Sequence, residues 1–250
     1  MPINQWLDSY CQRKLLTDPL VGRYAEQSSI VTVELDHEIV YDLMVLLPDI
    51  LFEREFSKRH GECFVLNDQK SVPPVFTRFK SYAWLKRDFG RRLPIALWIF
   101  GRSVIVRDPN GAFSSIVGEY SDLFKRSLRG IIERKYVEFR SDRHNLRQTV
   151  HHGDDLACSI LKANIVKLAA ELKLLSQGKP YPYKKWLVSE VDESNGGKTL
   201  LEISHRFIEA RRPEDTIATS DELVNAVVTF LDKEGILSGD ILTEWWLHLC

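Results

Sequence analysis

Gly153-Asp154-Asp155 opens an amphipathic run of roughly 20 residues that ends in Lys179-Pro180-Tyr181-Pro182-Tyr183-Lys184-Lys185-Trp186-Leu187. Leu161, Ile165, Leu168, Leu172 and Leu175 recur at i, i+4, i+7 spacing, which predicts a helix with one apolar face. Asp154 and Asp155 fall in its first turn, where the helix dipole favours negative charge. Prolines 180 and 182 enforce an extended segment after it. Periodicity alone makes this a core helix with a decorated end.

The surrounding sequence divides into two kinds of pattern. Upstream, residues 30–47 alternate apolar and polar side chains, which predicts β structure. Eighteen residues is long for one strand, so a hairpin turning near Asp36-His37-Glu38 competes with a single strand. Pro48-Asp49 begins a short helix with Ile50, Leu51, Phe52 and Phe56. Val104-Ile105-Val106 is a short strand closed by the turn Asp108-Pro109-Asn110-Gly111. From Ala112 onward the pattern is helical. Further helices are expected over 200–210 and 220–233, the latter with Ser220 as N-cap. The expected fold class is therefore α+β: an N-terminal mixed-sheet domain over 1–111, then a helical bundle over 112–250.

Composition narrows the function. The chain has 250 residues, 44% hydrophobic and 28% charged, with a formal net charge of −1. That suits a folded protein and argues against nucleic acid as a partner, since no global basic field is present. Four cysteines lie far apart without C-x-x-C spacing, which argues against a disulfide framework or a zinc site. No signal-peptide pattern opens the sequence, and no apolar run reaches the roughly 18 residues of a membrane span. A cytoplasmic protein without a membrane partner is expected. P-loop, G-x-G-x-x-G and G-x-S-x-G motifs are absent from the sequence.

Three groups of residues could carry chemistry. On a continuous strand Glu34, Asp36, Glu38 and Asp42 share a face. Two or three carboxylates converging there from neighbouring strands suit Mg²⁺, a hard cation that bridges to phosphates. The alternative is an edge strand whose charges face water. Asp42 stands out because it interrupts an apolar run. The second group is the titratable stretch 140–155, where Asp154 and Asp155 are either helix-terminal charges or supply a general base for a hydroxyl proton, and His151 and His152 are a base, a phosphate ligand or surface histidines. The third is the aromatic, basic box. Lys184 and Lys185 suit phosphate, and Tyr183 offers a flat surface to a nucleotide base; the same aromatics could equally seal a domain junction.

The helical stretch from Gly153-Asp154 to Trp186-Leu187, with Ser103-Val-Ile-Val-Arg-Asp108-Pro-Asn-Gly111, resembles the polymerase-β-type nucleotidyltransferases of the antibiotic-modifying kind, such as the kanamycin and lincosamide enzymes. The resemblance covers about a third of the chain. It implies Mg²⁺-dependent transfer of a nucleoside monophosphate from a nucleoside triphosphate to a hydroxyl of a small molecule. Asp36, Glu38 and Asp42 would hold the metal, and Asp154, with Asp42, would be catalytic. The family's Gly-Ser turn has no counterpart here. Two registers remain: Asp36-His37-Glu38 on the family's acidic pair, or Asp42 on its third acidic strand. A degenerate relative that binds a nucleotide or a protein is the alternative. Arg147 and His152 also have the R-x4-H spacing of HEPN ribonucleases, placed before a helix. The nucleotide, the acceptor and a homodimeric state are left open.

Overall fold

The computed structural model describes residue 6 and residues 9–17, 19–36, 40–57, 64–68, 70 and 74–249. Residues 30–47 do form a hairpin. Strand β1 (Ser29–Asp36) pairs antiparallel with β2 (Val40–Leu47). Strand β3 (Phe64–Asp68) pairs antiparallel with β4 (Val75–Ser81), and β4 lies parallel to β2. The short β5 (Ile105–Arg107) closes the other edge, giving the order β3-β4-β2-β1-β5.

Strand β2 is the middle of this mixed sheet, and its composition explains why. Leu43, Met44, Val45, Leu46 and Leu47 are all buried, so the run is covered on both faces rather than half-solvated. Leu43, Val45 and Leu47 enter one core with Ile30, Val75 and Phe79, and that core is capped by Cys11, Leu15, Val21 and Tyr24. A parallel β2–β4 neighbour needs a long crossover, and the short helix Asp49–Phe52 begins it.

Helix α1 (Tyr82–Phe100) starts at Ser81, whose hydroxyl accepts from Trp84 N at 3.0 Å. The apolar run 93–100 lies inside this helix. Pro94 lacks an N–H for the preceding turn, and the helix bends at Arg92 (φ −147°, ψ 53°). After β5, the Asp108 carboxylate gathers the next helix. Its Oδ1 accepts from Ser29 Oγ (2.7 Å) and Phe113 N (3.2 Å); its Oδ2 accepts from Ser114 N (3.0 Å) and Ser114 Oγ (2.7 Å). Burial opposes the ionised form, but these bonds outweigh it and hold the carboxyl below its ordinary range.

Helix α2 (Ala112–His152) has 41 residues and runs about 60 Å. The chain divides into two compact units, Met1–Leu123 and Phe124–Cys250, so the division falls within α2. In the second unit, α3 (Asp155–Ser176) packs against α4 (Lys184–Asp192), α5 (Gly197–Glu209) and α6 (Pro213–Lys233). Its stripe of Ile165, Leu168, Leu172 and Leu175 is fully buried. The architecture is α+β, a mixed sheet followed by helices. No helix among the described residues is long and apolar enough to cross a membrane.

Two local expectations change. Helix α6 begins at Pro213, not near Ser220, because proline is pre-organised for the first helical position and Glu214 and Asp215 complement the dipole. Ser220 is instead buried, its hydroxyl donating to Ile217 O at 2.7 Å. Gly197 opens α5 for a steric reason: a Cβ there would lie 1.6 Å from the Val191 carbonyl oxygen.

Candidate functional site

In the first unit, the acidic strand resolves residue by residue. Asp42 sits on central β2 with its side chain 13% exposed, and Arg78 Nη2 donates to its Oδ2 at 2.8 Å. The register explains this pair. Asp42 is opposite Phe76 and Met44 is opposite Arg78, so Asp42 and Arg78 are diagonal neighbours across the parallel strands. Across β1, Glu34 stands opposite Asp42 and Asp36 opposite Val40. Asp36 is the last residue of β1; its side chain, and Glu38 altogether, lie outside the described residues. Among the described residues, no three His, Cys, Asp or Glu side chains group closely enough to hold a metal ion.

In the second unit, Asp154 lies in the turn between α2 and α3. Gly153 supplies the left-handed backbone that turn needs (φ +69°). Asp154 is extended and forms the N-cap of α3, its Oδ1 accepting from Ala157 N at 2.9 Å. It also lines a cavity of about 640 Å³, together with Asp155, Cys158, Lys162 and Arg211. Lys162 is 7% exposed, donates from Nζ to Ala210 O at 2.6 Å, and lies 5.5 Å from the Phe207 ring centre. Burial pushes its ammonium below the ordinary lysine range. The cavity thus joins a carboxylate whose direction is fixed by a backbone bond to a desolvated lysine. Lys162 was missed by sequence reasoning. Its position at the edge of the apolar stripe, beside Leu161, was the available signal.

The aromatic box separates into two roles. Tyr181 is buried and stacks under Lys135 Nζ (4.8 Å to the ring centre). Lys135 in turn donates to the buried Glu171 at 2.6 Å. This half of the box is core. Tyr183 is half-buried and precedes α4, accepting from Trp186 Nε1 at 3.0 Å. Lys184 and Lys185 are exposed, with Lys185 Nζ 4.6 Å from the Trp186 ring centre. None of these three lines the Asp154 cavity.

Arg147 and His152 lie on α2 itself, not before a helix. Five residues apart, they point about 140° apart around the axis, so one chain does not bring them together.

A family model described as a domain of unknown function (DUF4037) matches residues 96–187. That stretch contains Asp108, Asp154 and the box through Leu187. No curated protein matches the sequence. Among solved structures, a nucleotidyltransferase-like protein from Exiguobacterium sibiricum 255-15 is similar, with a TM-score of 0.55 and 13% identity over 91% of this chain and 78% of that one. The chain therefore has a nucleotidyltransferase-like fold.

Proposed function

We propose that the chain is a nucleotidyltransferase that moves a nucleoside monophosphate from a nucleoside triphosphate to a hydroxyl of a small molecule, in the manner of the antibiotic-modifying enzymes. The observation that carries this is Asp42, a carboxylate held on the central strand of a nucleotidyltransferase-like sheet, with Glu34 at the facing register position. A carboxylate so placed needs a counter-charge. Arg78 supplies one, and the hard oxygens of Asp36, Glu38 and Asp42 suit Mg²⁺ as another. When bound, the metal neutralises charge on the triphosphate and on the departing pyrophosphate.

Asp154 is the base of this reading. Its carboxylate accepts the proton of the acceptor hydroxyl, whose oxygen attacks the α-phosphorus. The bond from that phosphorus to the oxygen bridging the β-phosphate breaks, and pyrophosphate leaves. The bond from Ala157 N fixes the carboxylate, and the cavity beside it is large enough for a small polyol or amino sugar. Lys184 and Lys185, exposed at the start of α4, would meet phosphate oxygens, and Tyr183 would offer a face to the base.

The test is pyrophosphate release with ATP and GTP, with Mg²⁺, over a panel of hydroxyl-bearing acceptors that includes aminoglycosides and lincosamides. Release that depends on both metal and acceptor supports the reading. A second reading is a degenerate relative that binds nucleotide or protein without turnover. It is favoured by the missing Gly-Ser turn and by Arg78 already neutralising Asp42. Nucleotide binding with no pyrophosphate release from any acceptor would establish it.

A further inference from the structure

A second cavity in the helical unit, of about 300 Å³, shares no residue with the Asp154 cavity. Arg140, Arg143, His144 and Arg147 stand at i, i+3, i+4 and i+7 on α2, so they form one stripe. All four line this cavity, together with Asp221 from α6 and the C-terminal Trp245 and Trp246.

The charge there is unbalanced. Among the described lining residues, three guanidiniums face one carboxylate. Asp221 pairs with Arg143 and lies 3.5 Å from Arg147. Arg140 donates to two neutral oxygens, Tyr136 Oη at 2.6 Å and Leu242 O at 2.9 Å. Arg143 is 91% buried, and its Nε is sealed from water without a hydrogen-bond acceptor among the described residues. Burial and the neighbouring Arg147 and Arg140 work against its charge, and Asp221 offsets them only in part. Three crowded guanidiniums sharing one carboxylate repel one another, and an anion that accepts from their cavity-facing N–H groups offsets that repulsion.

The aromatic side of the cavity narrows the class of anion. Arg140 lies 5.8 Å from the Trp245 ring centre, and His144 is 6.3 Å from the same ring. Trp246 meets Trp245 edge-on and remains 52% exposed, so an indole face stands at the rim in water. Flat indoles beside a guanidinium cluster are suited to a ligand with a ring at one end and a phosphate at the other. The volume lies at the lower end for small-molecule sites and fits one nucleotide rather than a strand.

We propose that this cavity binds a nucleoside monophosphate, with the phosphate on Arg143 and Arg147 and the base against Trp246. The site is independent of nucleotidyl transfer, because none of its residues belongs to the acidic strand or to the Asp154 cavity.

The experiment is calorimetric titration of the full chain with AMP, with adenosine, inorganic phosphate and a 5′-phosphorylated RNA oligonucleotide in parallel. AMP is expected to bind with a Kd below about 1 mM, and adenosine about tenfold more weakly or worse. Arg147→Ala, at a half-exposed position, is expected to weaken AMP about tenfold while leaving the thermal melt near that of wild type. Asp221→Asn removes the competing carboxylate and is expected to tighten AMP, an effect that loss of structure would not give. Trp246→Ala, at the rim, weakens AMP without weakening inorganic phosphate. Equal affinity for adenosine and AMP would overturn the proposal, as would binding only of the oligonucleotide. AMP binding that survives Arg147→Ala but disappears in Asp42→Ala would also overturn it, and would place the nucleotide on the sheet instead.

Discussion

Arg78 Nη2 stands 2.8 Å from Asp42 Oδ2, joining the two parallel strands at the middle of the sheet by a diagonal ion pair. The guanidinium is about half exposed while the carboxylate is largely covered. Arg78 is therefore the movable partner, and any cation that occupies the carboxylate must compete with it. Asp42→Ala is expected to abolish Mg²⁺-dependent ATP binding measured by calorimetry. Arg78→Gln is expected to strengthen it while lowering stability by about 1–3 kcal/mol, because the largely covered carboxylate loses its counter-charge. Unchanged binding in both variants would remove Asp42 from the metal site.

Asp154 has a structural role that can be separated from a chemical one. As an N-cap its side-chain oxygen bonds Ala157 N, and serine can do the same. Asp154→Ser should therefore keep the wild-type unfolding midpoint, whereas Asp154→Ala loses about 1 kcal/mol. If Asp154 is the base, Asp154→Ser also loses pyrophosphate release by about 100-fold or more. Full turnover in Asp154→Ser would leave Asp154 as a cap alone.

Asp108 should make the sheet unit acid-labile. Its four hydrogen bonds favour the carboxylate, so its folded pKa lies below the unfolded value. The resulting stability is present above the unfolded pKa, near about 4, and is lost as pH falls through the folded pKa. Asp108→Asn is expected to cost about 2 kcal/mol at pH 7 in urea unfolding. The difference from wild type should shrink below about pH 4, where both carry a neutral group. A difference constant down to pH 2 would contradict this account.

Glu171 is 3% exposed and pairs with Lys135 at 2.6 Å and Lys167 at 3.0 Å. Removing it strands Lys135, whose ammonium burial disfavours and Glu171 restores. Glu171→Leu is expected to cost about 3 kcal/mol or more, and adding Lys135→Met should recover part of that loss. Strict additivity in the double-mutant cycle would show that the pair is not coupled.

Much of the scaffold was legible in local pattern. Alternation over 30–47 marked β structure, and the hairpin was one of its two readings. The turn at Asp108-Pro109-Asn110-Gly111 separated sheet from helices, and the α3 stripe identified the central helix. The start of α6 was misplaced because Ser220 is as good an N-cap by type as any residue, while Pro213 seven residues earlier already begins the helix. The titratable stretch 140–155 was legible as a cluster but not as two. Helical rotation sends Arg140, Arg143, His144 and Arg147 to one cavity, and the turn at Gly153 carries Asp154 and Asp155 to another.

By itself, the sequence determined what depends on neighbours along the chain: the alternation of 30–47, the turn at Asp108–Gly111, and the apolar stripe of α3 with its proline-rich box after it. These are set by φ/ψ preference and by the period of apolar residues. The sequence did not mark β3, β4 or the helix over 82–100. Only the tertiary structure decided the partners. Asp42 meets Arg78 from a strand 36 residues away, Lys135 meets Glu171, and Asp221 and Trp245 come to the arginine stripe of α2. Charge pairing and desolvation depend on distance in space, and the sheet register and the helix packing set those distances.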